Sequence, residues 1–483
     1  MQNSHIFNHT NYPMVISFAI CLFIFVIIGV LSTIANRHNN VDYLLANHSI
    51  KPWLVALSAV ATANSGYMFI GMIGYTYFYG ISSIWLLIGW VFGDFIASIF
   101  IHKKLRIISK EKSILSFAGA ISKWGGTDYK TLRIYLGIIT VIFLGVYAAA
   151  QLNAGSKALH ILFGWDYNLG AIIGAIMVLL YCFAGGIRAS IWTDAAQSFV
   201  MIFAMMLLCF VAIDKIGGIG EVFNKMNEVS VDYVALFPHN LALGSFVGPL
   251  LFISGWFFAG IGIVGQPHIM VRFMAMDNPD NMTKVRIYYY SFYVIFCILT
   301  VLVGISARLL LPDTANFDAE LALPILAMDL LPEILVGLIL AGLFAATMST
   351  ADSQILSCSA AITRDFNDKG NISYLITKLS TIFVTLTALL IAIYGSKSVF
   401  DLVIIAWSSL AASFAPLLII YACGGKISER IAIIIAILGM VTIIIWRVLG
   451  LDKYIYEVAP GILLPILFWI FYNFTYKILS NRN

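Results

Sequence analysis

The sequence predicts an all-α, polytopic membrane protein of about 13 transmembrane helices, on three observations. Hydrophobic residues make up 61% of the 483 and charged residues only 11%, under half the share of about 25% usual in soluble domains. The mean hydropathy is +0.94. The apolar residues fall in charge-poor runs of about twenty, the length a helix needs to cross a bilayer, and not in the alternating strands of a membrane β-barrel. This composition excludes a disordered chain, a secreted disulfide scaffold and an ordinary soluble enzyme.

The elements follow in order. The run 14–36 is preceded by no basic leader and is long enough to span, so it reads as a retained first helix. Further helices are expected near 52–80, 83–102, 133–160, 168–186, 192–213, 243–271, 287–309, 322–363, 373–395, 399–422, 431–448 and 458–478. The six cysteines, Cys21, Cys182, Cys209, Cys297, Cys358 and Cys423, lie in or beside these runs without a CxxC, which predicts buried, inert thiols. With the N-terminus outside, 21 of the 28 Lys and Arg fall on the inner side, Arg272 among them, and 7 on the outer. That asymmetry favours N-outside, C-inside. The basic segment 103–133 is its strongest anchor and reads as a solvated cytoplasmic loop near anionic lipid. Nothing calls for nucleic acid.

Two helices look interrupted: SAVATANSGYMFIGMIG from Ser58 to Gly74, and SGWFFAGIGIVGQP from Ser254 to Pro267. Broken helices at membrane depth are tolerated only where protein or a water-filled cavity satisfies the freed backbone. These two are the second and seventh spans, five apart, as an inverted five-helix repeat requires, and paired breaks point to a transport site. Glycine also serves helix packing alone, which leaves a structural reading open.

Charges within spans are expensive. Asp94 has a polar neighbour or lies near an interface. Asp194 is a site residue or an interfacial cap. Asp352 sits in FAATMSTADSQILSCSAA, a hydroxyl-rich run. Helical spacing puts Ala346, Ser349 and Ser353 on one face with Thr350 beside them. Such hydroxyls, with carbonyls freed at Ala61 and Asn64 opposite, could cage a hard cation, or they could merely glue helices together. Tyr147 lines a cavity or packs in the core, and Trp256, Phe257 and Phe258 read as core or belt. His268 and His239 lack metal-ligand spacing and read as neutral structural residues. No nucleophile elbow, HExxH or P-loop is present, so the chain reads as a non-enzyme with no catalytic residues.

These segments resemble the sodium:solute symporter family, most closely its sodium/proline branch, from about residue 43 to 425. The resemblance rests on DYLLANHSIKPWLVALSAVATANSG, YCFAGGIRASIWTDAAQSFVMIFA, GQPHIMVRFMA and MSTADSQILSCSAAITRDF. It implies a leucine-transporter-like inverted-repeat core at 41–425, preceded by an extra helix in 1–40 and followed by two C-terminal helices in 426–483. It implies a co-transported sodium ion held by the carbonyls of Ala61, Asn64 and Ala346 and the hydroxyls of Ser349 and Thr350. Asp194, Asp352 and Ser353 match a second cation site of some members. The departures are Ala63 where the branch has an aspartate, and Ala259 and Ile263 where it has a tryptophan and a tyrosine. Tyr147 matches a retained tyrosine.

The function expected is uptake of a small organic solute, an amino acid such as proline or a related one, by alternating access in the cell (inner) membrane. Ser65, Gly66 and Tyr67 would contact the solute, with Tyr147 and the span-7 residues Ala259, Ile263 and Pro267 opposite. The partners expected are that solute and the lipid bilayer, with no obligatory protein partner. A proton-coupled symporter, a solute-sensing module and a channel are the rival readings.

Overall fold

The computed structural model describes residues 12–35, 38–238, 241–311, 317–367, 372–395 and 399–480. His239 lies outside them. All the regular structure there is helical, apart from one isolated bridge between Ile50 and Met276. The helices used below are α1 (Tyr12–Leu31), α2 (Pro52–Gly66), α3 (Met72–Tyr79), α4 (Ile84–Glu111), α5 (Phe117–Ser122), α6 (Lys130–Phe163), α7 (Tyr167–Ile216) and α8 (Ile219–Val229). There follow α9 (Gly244–Ile261), α10 (Pro267–Met274), α11 (Met282–Leu310), α12 (Ala322–Leu330), α13 (Glu333–Ala360), α14 (Tyr374–Tyr394), α15 (Val399–Ala422), α16 (Glu429–Val448) and α17 (Val458–Ser480).

Eleven stretches of the described residues are long and apolar enough to cross a membrane, not thirteen. The expected pairs 52–80 with 83–102, and 168–186 with 192–213, run on as single helical stretches, Pro52–Glu111 and Tyr167–Ile216. Each is broken at a positive-φ glycine, Gly80 and Gly186. At Gly186 (φ 58°, ψ −141°) a Cβ would stand 2.3 Å from the Tyr43 carbonyl oxygen, so only glycine lets the chain bend against that backbone. The expected helix 322–363 is in turn divided at Pro332 into α12 and α13.

The basic segment 103–133 is more ordered than a loop. Helix α4 continues to Glu111, α5 follows, and Ser116 caps α5 by accepting from the Gly119 amide at 3.1 Å. Arg106 within it is fully buried. Cys182, Cys209, Cys297 and Cys358 are buried as expected and Cys21 partly so, but Cys423 is exposed, because it lies past the end of α15.

The core is built around α13, every residue of which from Ile339 to Ala360 is buried. It packs against α7, α6, α1 and α2. Helix α15 is likewise buried along most of its length and packs on α6, α16 and α17. An apolar helix that shows no lipid-facing stripe belongs inside a bundle. Exposed apolar side chains sit instead on the surrounding helices, α1, α7, α14 and α17 among them, as with Phe210 and Phe471.

Candidate functional site

Both expected breaks are present. In α2, Ser65 has φ 49° and ψ −178°, a region essentially reserved for glycine that costs a serine about 1–3 kcal/mol. A π-helical turn, Tyr67–Gly71, follows before α3. On the other side, α9 gives way to a 3-10 turn at Gly262–Gly265, Gln266 is extended, and Pro267 opens α10. Proline at the first helical position needs no amide partner. The strain at Ser65 is held by Gly66, whose amide donates to Gln151 Oε1 at 2.9 Å, and by Tyr67, whose amide donates to Ser65 Oγ at 3.1 Å.

Helix α13 faces this break. Ser349 Oγ lies 3.3 Å from the Ala61 carbonyl oxygen and 3.1 Å from that of Ala346. Thr350 Oγ1 lies 3.0 Å from the Thr62 carbonyl oxygen and 3.1 Å from that of Ala346. All are fully buried. Five hard oxygens from two facing helices thus meet in one spot, the donor type that a dehydrated alkali cation takes. Asn64 differs from expectation: its carbonyl accepts the Tyr67 amide, and its side-chain atoms are buried without a hydrogen-bond partner. Thr62 supplies the second main-chain oxygen of α2 instead.

One turn further along α13 is a buried charge cluster. Arg272, counted among the inner-side loop charges in the sequence, is a core residue of α10 and fully buried. Its Nη2 lies within hydrogen-bond distance of four acceptors, Ser190 Oγ (2.5 Å), Asp194 Oδ2 (3.2 Å), Asp352 Oδ1 (3.4 Å) and Ser353 Oγ, among which its two N–H groups are shared. Ser58 donates to Asp194 Oδ2 at 2.6 Å. So Asp194 is neither a cap nor at an interface, and Asp352 is a partner of Arg272. The cluster holds two carboxylates and one guanidinium. Asp194 Oδ1, Asp352 Oδ2, and Arg272 Nε and Nη1 are buried without partners. Ser353 joins this cluster to the oxygen cage, donating to Ser349 O at 2.6 Å and lying 3.1 Å from Thr62 Oγ1.

The solute-facing residues divide. Ser65, Gly66 and Tyr67 lie at the α2 break, and Tyr147 is buried edge-on to His268 with ring centroids 5.5 Å apart. His268 is fully buried, and neither ring nitrogen has a hydrogen-bond partner. Ala259 and Ile263 are buried in the α9 break, and the Trp407 indole N–H donates to the Ala259 carbonyl at 3.2 Å. Trp407 stands 4.7 Å from Trp90, which stands 6.1 Å from Tyr67. Pro267 stands apart: it lines a small gap with Phe117, Thr140 and Ala360, between α5, α6 and α13. Sequence reasoning missed Arg272, Gln151, Trp90 and Trp407. The first could have been suspected from its two unpaired intramembrane aspartates.

The end of α2–α3 and α9–α10 nearest the basic segment is shut by main-chain bonds. The Ile50 amide donates to the Ala275 carbonyl at 3.2 Å, and the Asp277 amide to the Ile50 carbonyl at 2.9 Å. Arg106 clamps the Met276 and Asp277 carbonyls, and His48 Nδ1 lies 2.8 Å from the Met274 carbonyl oxygen. At the opposite end, a cavity of about 420 Å3 opens between α9, α15 and the α16–α17 connection.

Two interrupted helices inside an apolar bundle, with buried hard oxygens gathered at the break, are the arrangement of a secondary transporter. Residues 43–445 match the model of the sodium:solute symporter family. The sodium/proline symporter of Escherichia coli (strain K12) is 28% identical over 93% of this chain and 90% of its own length. The high-affinity proline transporter PutP of Bacillus subtilis (strain 168) is 28% identical over 88% and 90%. A Na+-coupled sialic acid symporter, solved substrate-bound and outward-open, superimposes with a TM-score of 0.76 at 18% identity, over 95% of this chain and 98% of that one. This chain belongs to the sodium:solute symporter family and has the leucine-transporter-like fold. It is a multi-pass membrane protein that couples the symport of a small solute to sodium.

Proposed function

We propose that this chain imports proline, or an amino acid of similar size, across the cell membrane, N-terminus outside and C-terminus inside. The oxygen cage at the α2 break carries this reading. Sodium there is held by the carbonyls of Ala61, Thr62 and Ala346 and the hydroxyls of Ser349 and Thr350, with Asn64 joining when its carbonyl is released from Tyr67. The bound ion fixes the strained Ser65–Tyr67 segment, and so completes the pocket of Ser65, Gly66, Tyr67 and Tyr147. The indoles of Trp90 and Trp407 fill the volume that Ala259 and Ile263 leave, and offer the ring of a small cyclic amino acid an apolar face.

Asp194, Asp352 and Ser353 form a second cation site, because two carboxylates exceed one guanidinium by one charge. The core is 41–425, with an extra helix before it and two after. The 60- and 50-residue stretches each cross twice: at 1.5 Å per residue they measure about 90 and 75 Å, against a hydrocarbon core of about 30 Å. Net uptake proceeds without an obligatory protein partner.

The test is uptake of labelled proline into proteoliposomes, driven by an inward sodium gradient and compared with a proton gradient alone. Sodium-driven accumulation abolished by Ser349→Ala with Thr350→Val is expected. One 100 mV potential supplies about 2.3 kcal/mol per charge moved, so an inside-negative potential should raise the accumulation. Equal accumulation on a proton gradient alone would overturn the coupling. Binding of proline without uptake would make the protein a sensor.

A further inference from the structure

We propose that Gln151 of α6 and His268 of α10 bind the carboxylate of the transported solute, and so select amino acids over their amides. The assignment rests on the amino-acid reading above and names the side chains that carry it. A carboxylate taken out of water needs hydrogen-bond donors. The main chain at the breaks has few to give. The Gly66 amide donates to Gln151 Oε1 at 2.9 Å, and the Tyr67 amide to Ser65 Oγ at 3.1 Å and to the Asn64 carbonyl. At the other break the Gln266 amide donates to the Ile263 carbonyl at 2.9 Å, and Pro267 has no N–H. With these donors taken, recognition falls to side chains.

Two side chains stand ready. Gln151 is fully buried. Its Oε1 is committed to Gly66, which fixes the carboxamide, and its Nε2 has no hydrogen-bond partner among the described residues. His268 is fully buried, and neither of its ring nitrogens has a partner there. A neutral imidazole carries one N–H in either tautomer. Buried polar groups are nearly always bonded, so two such orphans at one site call for a ligand.

Both belong to the solute end of the molecule. Gln151 meets the α2 break directly, through Gly66. Tyr147, one turn before Gln151 and on the same face of α6, lies edge-on to His268 with ring centroids 5.5 Å apart. The Trp90 indole N–H is unpartnered as well, but its ring belongs to the aromatic wall with Trp407 and Tyr67. A carboxylate has two acceptor oxygens and can take an N–H from Gln151 and another from His268. An amide has one oxygen and turns an NH2 toward the second donor, which leaves two donors opposed. Sites built to pair a polar group reject the analogue that leaves them unpaired.

Binding is read as the rise in unfolding midpoint of the purified full-length protein at saturating sodium. The probes are L-proline, L-alanine and L-serine, and the amide of each. At least one free acid should stabilise the wild type, and its amide should not. His268→Leu and Gln151→Met should each weaken the apparent affinity for that acid about 10- to 150-fold, the worth of one hydrogen bond to a charged group, and should narrow the preference for acid over amide. His268→Gln, which keeps an N–H, should recover much of the loss. The midpoint shift produced by sodium alone should persist in all three variants. Wild-type affinity in His268→Leu and Gln151→Met would overturn the assignment. So would equal binding of acid and amide by the wild type, or loss of the sodium shift together with solute binding, which would make the two residues structural. If no acid stabilises the wild type with sodium, the amino-acid reading itself falls and the assignment with it.

Discussion

Removing the guanidinium of Arg272 is the sharpest perturbation of the site. Arg272→Met keeps a linear apolar side chain and deletes only the charge and its donors. The charges it leaves stood 3.2 Å (Asp194) and 3.4 Å (Asp352) from Nη2. At an effective dielectric of about 20, each contact corresponds to roughly 5 kcal/mol of attraction. Desolvation of three buried ions offsets much of this, and the observed cost of breaking buried pairs is about 3–5 kcal/mol. The variant should therefore lose about that much stability, because two carboxylates remain buried with only Ser58, Ser190 and Ser353 to bond them. Adding Asp352→Asn removes one of the two charges and should restore at least about 1 kcal/mol, a non-additivity expected only of groups in one network. Denaturant unfolding of the single and double variants in detergent measures the cycle. A cost under about 1 kcal/mol for Arg272→Met, or strict additivity, would refute the view that these three charges balance one another.

Other expectations concern the neighbouring elements. Thr350→Val keeps the shape but removes an oxygen from the cage, and should lower apparent sodium affinity roughly 10- to 150-fold, the worth of a hydrogen bond to a charged group; sodium-dependent thermal stabilisation reads it. His48 lies outside the spans, and its burial holds its pKa below the ordinary value, against the opposing bond to Met274. The folded state thus stays neutral while the unfolded chain takes up a proton below about pH 6.5. Its contribution to stability is present above that pH and lost as the pH falls, so His48→Gln should flatten the acid limb of the stability curve. At Gly93 a Cβ would stand 2.0 Å from the Phe257 carbonyl oxygen. Gly93→Val should force α4 from α9 and cost about 1–3 kcal/mol, seen as a lower unfolding midpoint.

Much of this arrangement was legible in the residues. Charge-poor runs marked the spans, and glycine with small polar residues marked the two breaks, because each is a local property of the chain. The hydroxyl run Met348–Ser353 likewise marked the polar stretch that meets the carbonyls of α2. What escaped was set by tertiary packing. Arg272 looks like an end-of-helix charge until Asp194, 78 residues earlier, and Asp352, 80 residues later, are seen to meet it. Asn64 was expected as a ligand from its place in the motif; that its carbonyl accepts the Tyr67 amide at the Ser65 turn is something no residue pattern shows. The join at Gly186 was missed because a tight bend beside Tyr43 needs only one residue, too few to interrupt a hydropathy profile.

The seam at Ile50, Ala275 and Asp277 has a consequence for how the protein can switch. Two of its bonds join main-chain atoms and three run from the Arg106 and His48 side chains to main-chain carbonyls, so side-chain evolution can tune the seam through those two residues. Parting it forfeits about five bonds, each worth roughly 0.5–1.5 kcal/mol, hence a few kcal/mol in all. A protein with empty sites would then visit the opposite-facing shape only a small fraction of the time. Cargo must earn that passage by binding the opposite shape more tightly, which would make the seam a guard against idle cycling that leaks the gradient.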